Sequence, residues 1–177
     1  MDRVNGHDTF DIGDGRRGFR AENLPAGIVG TEITADWLNG VQEELAALIA
    51  RAGYDLSGDD LVQVLRAIRS QRANFAAAEG TGDALSLALE PAPLSLVDLT
   101  GMPLRVVVSA QNTGPATLQL GDLPPQPIVR ADNGGPLLGR DWQAGAVLDL
   151  LNDGAAWRLV SPQARNKPPA LLFYGCL

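Results

Sequence analysis

Few residues in this sequence could do chemistry. Its 177 positions contain one histidine, His7, and one cysteine, Cys176. A single imidazole cannot assemble a His-based metal centre, and a single thiol cannot close an internal disulfide or a Cys-rich zinc site. No serine or cysteine near His7 stands in a nucleophile-elbow setting, so acyl transfer has no partner for it. Cys176, beside Gly175 in an apolar stretch, reads as a thiol at a contact rather than a nucleophile. Gly13-Asp14-Gly15-Arg16-Arg17-Gly18 has the spelling G-x-G-x-x-G. A dinucleotide site needs its third glycine to open a helix whose N-terminus holds pyrophosphate. Here no helical stripe follows Gly18 and Pro25 comes seven residues on, so the glycines read as a loop. Asp8, Asp11 and Asp14 recur at every third position, whereas a calcium loop uses alternate positions and ends on a bidentate Glu. They read as a solvated acidic run.

Paired carboxylates can cleave glycosides, and Asp149 with Asp153, or Asp132 with Asp141, are available. Acid-rich strand proteins offer such pairs generally, so they single out nothing. Trp142, in the polar loop 132–143, is the candidate glycan contact, because an exposed indole can stack on a sugar ring. Trp157, in an alternating run, reads as core. No cofactor, metal or catalytic set is expected.

Composition narrows the classes further. Formal net charge is −7, which repels a nucleic-acid backbone, so no nucleic-acid partner is expected. No apolar run approaches the roughly 20 residues that span a bilayer, so no membrane insertion is expected. The opening MDRVNGHDTFD lacks the apolar region of a secretory signal. Apolar residues make up 45% and charged residues 20%, a globular balance. Of 14 basic residues only Lys167 is lysine; the rest are arginine, suited to planar bidentate contacts. Gly and Pro total 32 against nine aromatics, which favours short strands and many turns over a deep-pocketed enzyme.

The elements that would position these residues fall into five stretches. Residues 1–30 hold seven glycines or prolines and no sustained period, and read as an extended arm that lies against another copy or another protein. Residues 31–72 read as two helices. Thr34 is an N-cap, Trp37, Val41, Leu45 and Leu48 form a stripe that Leu38 and Ile49 extend, and Gly53 suits a left-handed stop. Ser57 or Asp59 caps the second helix, whose face is Leu61, Val64, Leu65 and Ile68. Two amphipathic helices joined this closely form an αα-hairpin. Trp37, Leu38, Val41, Leu45, Leu48, Leu61, Val64 and Leu65 are therefore the expected helical core and oligomer contact. Residues 73–83 read as a linker. From 84 to 162 the period is two, as in Leu85, Leu87 and Leu89 or Leu104, Val106 and Val108, and Asp153-Gly154 between apolar runs signals a hairpin. The expectation is α+β: the arm and αα-hairpin, then a small antiparallel β-sandwich or barrel. Residues 163–177 form an apolar docking tail built on Leu171, Leu172, Phe173 and Tyr174.

Two segments carry a resemblance. Thr34-Ala35-Asp36-Trp37-Leu38-Asn39-Gly40-Val41-Gln42-Glu43-Glu44-Leu45, with Ile49, Ala52-Gly53 and Leu61 to Ile68 following, resembles a segment of phage tail-fibre proteins. Asn112-Thr113-Gly114, Thr117-Leu118, Pro127-Ile128, Gly145 and Asp153 to Leu159 more loosely resemble a β module repeated in phage fibres and in the spikes of phage-like gene transfer agents. The resemblance implies a non-enzymatic fibre or spike subunit, homotrimeric, carried on a virion or phage-like particle at a head vertex or tail and made in the bacterial cytoplasm. Its partners would be other virion structural proteins and, through the tail, a distal host-binding fibre protein. Complete receptor-binding fibres are much longer, so a connecting or proximal segment is expected. The alternative is a carbohydrate-binding module contacting host-surface polysaccharide through Trp142. A capsule-trimming hydrolase, requiring one of the acid pairs in a groove, is a third reading.

Overall fold

The computed structural model describes residues 2–161, which form two compact units, one ending at Gln71 and the other beginning at Arg72. The expected docking residues Leu171, Leu172, Phe173 and Tyr174, and Cys176, lie outside the described residues.

The first unit opens with a β-hairpin, strands β1 (Phe10–Asp11) and β2 (Arg17–Gly18). Its turn is the glycine motif itself. Gly13, Asp14 and Gly15 all have positive φ, at 111°, 56° and 70°, where glycine carries no steric cost. Gly18 must also lack a side chain, because a Cβ there would stand 2.3 Å from Ile12 Cγ2. The chain then turns at residues 24–26 and returns beside residues 20–23, with Asn23 and Ile28 exchanging backbone hydrogen bonds and Thr31 N donating to Arg20 O at 3.1 Å. The arm expected to lie against another copy or another protein is instead held by its own unit. Val4 is buried, Thr34 Oγ1 donates to Asn5 Oδ1 at 2.6 Å, and Glu32 N donates to the His7 carbonyl at 3.0 Å. Phe19 meets Trp37 edge-on at 5.0 Å, so the arm half-buries that indole.

Helix α1 (Ala35–Arg51) begins as its sequence predicts, with the Thr34 hydroxyl accepting from Trp37 N, and ends at Ala52 before a left-handed Gly53. Helix α2 (Gln63–Ser70) begins later than predicted. Ser57 Oγ accepts from Asp59 N, so the expected cap Ser57 holds a turn rather than a helix end, and a second turn follows in which Asp60 Oδ1 accepts from Val62 N. The face of α2 is also reversed. Gln63 and Ala67 are buried, while Leu65 and Ile68 are exposed on the opposite side and Leu61, in the preceding turn, is 93% exposed. Gln63 faces inward because its amide completes the connection: Nε2 donates to Asp55 O at 2.6 Å and Oε1 accepts from Ser57 N at 3.0 Å. Ala67 permits close approach of the two helices. At eight residues, α2 is about 12 Å long against about 26 Å for α1, so it covers less than half of the α1 stripe.

The second unit is an eight-stranded sheet rolled into a nearly closed barrel. Its strands are β3 (Phe75–Ala77), β4 (Glu79–Gly80), β5 (Ala84–Leu87), β6 (Pro103–Val107), β7 (Ala116–Leu120), β8 (Gln126–Arg130), β9 (Val147–Asn152) and β10 (Trp157–Leu159). Their order is β3-β6-β9-β10-β8-β7-β5-β4. The two ends of this list, β3 and β4, are separated only by Ala78, whose amide donates to Val107 O at 2.8 Å. One continuous segment, 75–80, thus serves both edges and nearly closes the ring, which leaves little of the exposed sheet edge that invites aggregation. The stretch expected to be a linker is this closing segment. Alternating inward residues, among them Leu85, Leu104, Val106, Leu118, Ile128 and Trp157, fill the interior.

The sheet is not wholly antiparallel. β3 with β6, β5 with β7, and β8 with β10 run parallel. A period of two fixes which side chains point inward and is silent on strand direction. The connections 88–102 and 131–146 are long enough to bring strands back in either sense. The Asp153-Gly154 hairpin forms as expected, joining β9 to β10 with Asn152 opposite Trp157.

Candidate functional site

The groups that could carry chemistry are each committed to structure. His7 is exposed, with Glu32 Oε2 4.0 Å from its Nε2 and no nucleophile beside it. Asp11 accepts from Gly13 N at 2.7 Å, Asp8 accepts from Arg20 at 3.3 Å, and Asp14 lies 3.9 Å from Arg16. The acidic run therefore braces its own loop, and no cluster of three or more potential metal ligands occurs among the described residues.

The carboxylate pairs fare similarly. Asp153 accepts from the Ala155 and Ala156 amides and from Arg158 Nε at 2.6 Å. Those backbone donors, then the guanidinium, lower its pKa to about 2, too acidic to donate a proton near neutrality. Asp149 is paired with Arg105 at 2.7 Å. Asp141 is buried and accepts from Leu138 N at 2.7 Å. Asp132 is exposed and has no matching partner in Asp141, which is turned into the loop.

Trp142 is 2% exposed, its Nε1 donating to Ala110 O at 3.1 Å. It cannot stack on a sugar. Its loop is polar, but Asn112 draws it inward: Nδ2 donates to Gly114 O and Leu138 O, and Oδ1 accepts from Trp142 N. Asp83 fixes the same corner, accepting from the Thr113 hydroxyl and from the Thr113 and Gly114 amides, which hold its carboxyl below the usual range. The Asn-Thr-Gly and Asp-Gly motifs are thus fasteners of the barrel. Trp157 is fully buried as expected, which leaves Phe75 as the exposed aromatic of the barrel among the described residues.

What the molecule does present is apolar surface. In the first unit the buried apolar side chains, among the described residues, are Val4, Ile49, Ala52 and Ala67. Against this, Leu38, Leu45, Leu61, Leu65 and Ile68 are exposed, with Trp37, Val41, Leu48 and Val64 only partly covered. These residues are one predicted set, but the fold splits them into two patches. Leu38 and Leu45 are exposed on α1. Leu65 lies on the back of α2, roughly 160° around it from Gln63 and Ala67, and Ile68 lies roughly 100–140° from them. An open cleft of about 710 Å³ also lies in this unit, between the arm and Trp37; Asp2 bridges to Arg17 across its wall at 2.8 Å.

Sequence reasoning passed over a second group. Leu94 and Val97 are 92% and 80% exposed on a loop that Asp98 orders by accepting from the Leu94 and Ser95 amides. The outer barrel wall also carries Phe75, Val147, Leu151 and Val160, all exposed. The signal for the loop was present as apolar residues in the proline-rich stretch 91–99; the wall required strand registers that no sequence period supplies. No protein-family model matches this chain, and no curated protein sequence matches it.

Proposed function

We propose that this chain is a non-enzymatic structural subunit, a fibre or spike component of a phage or phage-like particle, that assembles with copies of itself through its helical unit. The observation that carries the assembly is the mismatch between the core of that unit and its surface. Four small or medium buried apolar side chains cannot stabilise some 70 residues, whereas each large side chain buried at an interface contributes about 1.5–3 kcal/mol. The reversed face of α2 supports the same reading: an isolated hairpin would turn Leu65 and Ile68 inward.

The two patches differ and point in different directions, so the back of one copy's α2 would seat on the uncovered α1 stripe of the next. Such head-to-tail contacts close into rings, and three is the number the tail-fibre resemblance implies. The N-terminal unit would attach to the particle, with the barrel projecting towards a distal host-binding component. Light scattering after size-exclusion chromatography tests the assembly. A trimer is expected at micromolar concentration, reduced to monomer by Leu65→Asp with α2 still helical; a monomeric native chain overturns it. Immunogold labelling of particles from the producing cells tests the location.

A further inference from the structure

Three Asn-Gly pairs occur in this chain: Asn5-Gly6, Asn39-Gly40 and Asn133-Gly134. A glycine after asparagine leaves its own amide nitrogen uncrowded, so that nitrogen can attack the asparagine side-chain carbon and close a cyclic imide. By sequence the three pairs are equivalent. The fold separates them, because the attack needs an amide free of hydrogen bonding and a backbone able to bend towards the side chain.

Two of the pairs are locked. Asn39-Gly40 lies inside α1, where the Gly40 amide belongs to the helical ladder. Gly134 N donates to Arg130 O at 2.9 Å, and Asn133 Oδ1 accepts from Gly135 N at 2.8 Å, so the amide and the side chain of that pair are both tied into their turn.

Asn5-Gly6 differs on each count. It lies outside any helix or strand, with a bend at Gly6, and Asn5 is exposed. Gly6 N donates to no acceptor among the described residues. Thr34 Oγ1 donates to Asn5 Oδ1 at 2.6 Å. That oxygen is where negative charge develops as the nitrogen attacks, and a donor already in place stabilises it. The glycine is required by packing, since a Cβ on Gly6 would stand 2.1 Å from Glu32 O. The labile pair is thus built into the fastening of the arm.

We infer that Asn5-Gly6 is a site of spontaneous deamidation in the folded chain. Gly6 N loses its proton and bonds to Asn5 Cγ, the Cγ–Nδ2 bond breaks, and ammonia leaves. Water then opens the imide at either carbonyl, giving aspartate or isoaspartate with no change of oxidation state. Isoaspartate adds one backbone atom between Val4, which is buried, and His7, whose carbonyl accepts from Glu32 N at 3.0 Å. The modification therefore strains the seam that holds the arm. No step depends on the assembly proposed above.

Trypsin places the three pairs on separate peptides, 4–16, 21–51 and 131–140, and Asn5 is the only asparagine of the first. The full chain is aged in mildly alkaline buffer, folded or in urea, then digested and read by mass spectrometry, with electron-transfer fragmentation to tell isoaspartate from aspartate. In the folded chain peptide 4–16 should convert many-fold faster than the other two, and in urea the three rates should converge. Conversion of 21–51 or 131–140 ahead of 4–16 in the folded chain overturns the inference. So does a peptide 4–16 that converts in urea and stays intact in the folded chain.

Discussion

Trp142 and Asp153 show how residues with catalytic or binding potential become structural ones. Trp142 is large, buried and hydrogen-bonded, and its backbone amide is held by Asn112. Trp142→Ala should therefore destabilise the barrel by about 3–5 kcal/mol in chemical denaturation, a loss of folding that a surface sugar contact would not produce. Asp153 makes its contribution as an anion. Its folded pKa, about 2, lies below the ordinary carboxylate value of 3.8, so its stabilisation is complete above that value and is lost as pH falls towards 2. The melting temperature should fall over this window, and Asp153→Asn should flatten that part of the profile while lowering stability at neutral pH.

Among the elements, the closing segment 75–80 and the α1–α2 pair are the ones whose behaviour depends on single backbone details. Just past that segment, Gly82 lets the chain pass against the loop 110–112; a Cβ there would stand 1.9 Å from Gln111 O. Backbone cannot yield as a flexible side chain does. Gly82→Ala should cost about 1–3 kcal/mol and speed amide exchange in β4 and β5 ahead of β9 and β10, as hydrogen exchange would reveal. In the helical pair, one glutamine decides the orientation. With Gln63 satisfying Asp55 O and Ser57 N, the helix that best fits the loop is the one that turns its leucines outward. The hairpin gains a closed connection and leaves Leu65 and Ile68 exposed.

At the scale of the whole molecule, the two units divide the sources of stability. The barrel has a contiguous core that includes Leu99, Leu118, Leu120, Ile128, Leu150 and Trp157 and has no need of a partner to bury them. The helical unit has little core of its own. If assembly supplies the difference, mass action makes its stability depend on concentration. Far-UV circular dichroism at 222 nm should show the helical transition moving upward by several degrees with each tenfold increase in protein, while the near-UV signal of buried Trp142 and Trp157 melts at a constant temperature. A helical transition indifferent to concentration would show that the unit is stable without partners.

Local order was legible from residue types alone. Thr34 and Gly53 bound α1, the alternation from Leu85 to Leu159 located the strands β5 to β10, and Asp153-Gly154 placed the last hairpin, because caps, periods and turns act over a few residues. The same short range concealed everything settled by partners distant in the chain. Ala-rich 75–80 has no period to mark it as a strand, and it becomes one because both β5 and β6 offer it an edge. Asn112 and Leu138 are 26 positions apart, and only their meeting turns Trp142 from a loop indole into core. The stripe of α2 was visible in advance, but its direction was not: a hydrophobic period says which residues share a face, and the tertiary contacts of Gln63 decide whether that face looks inward or out.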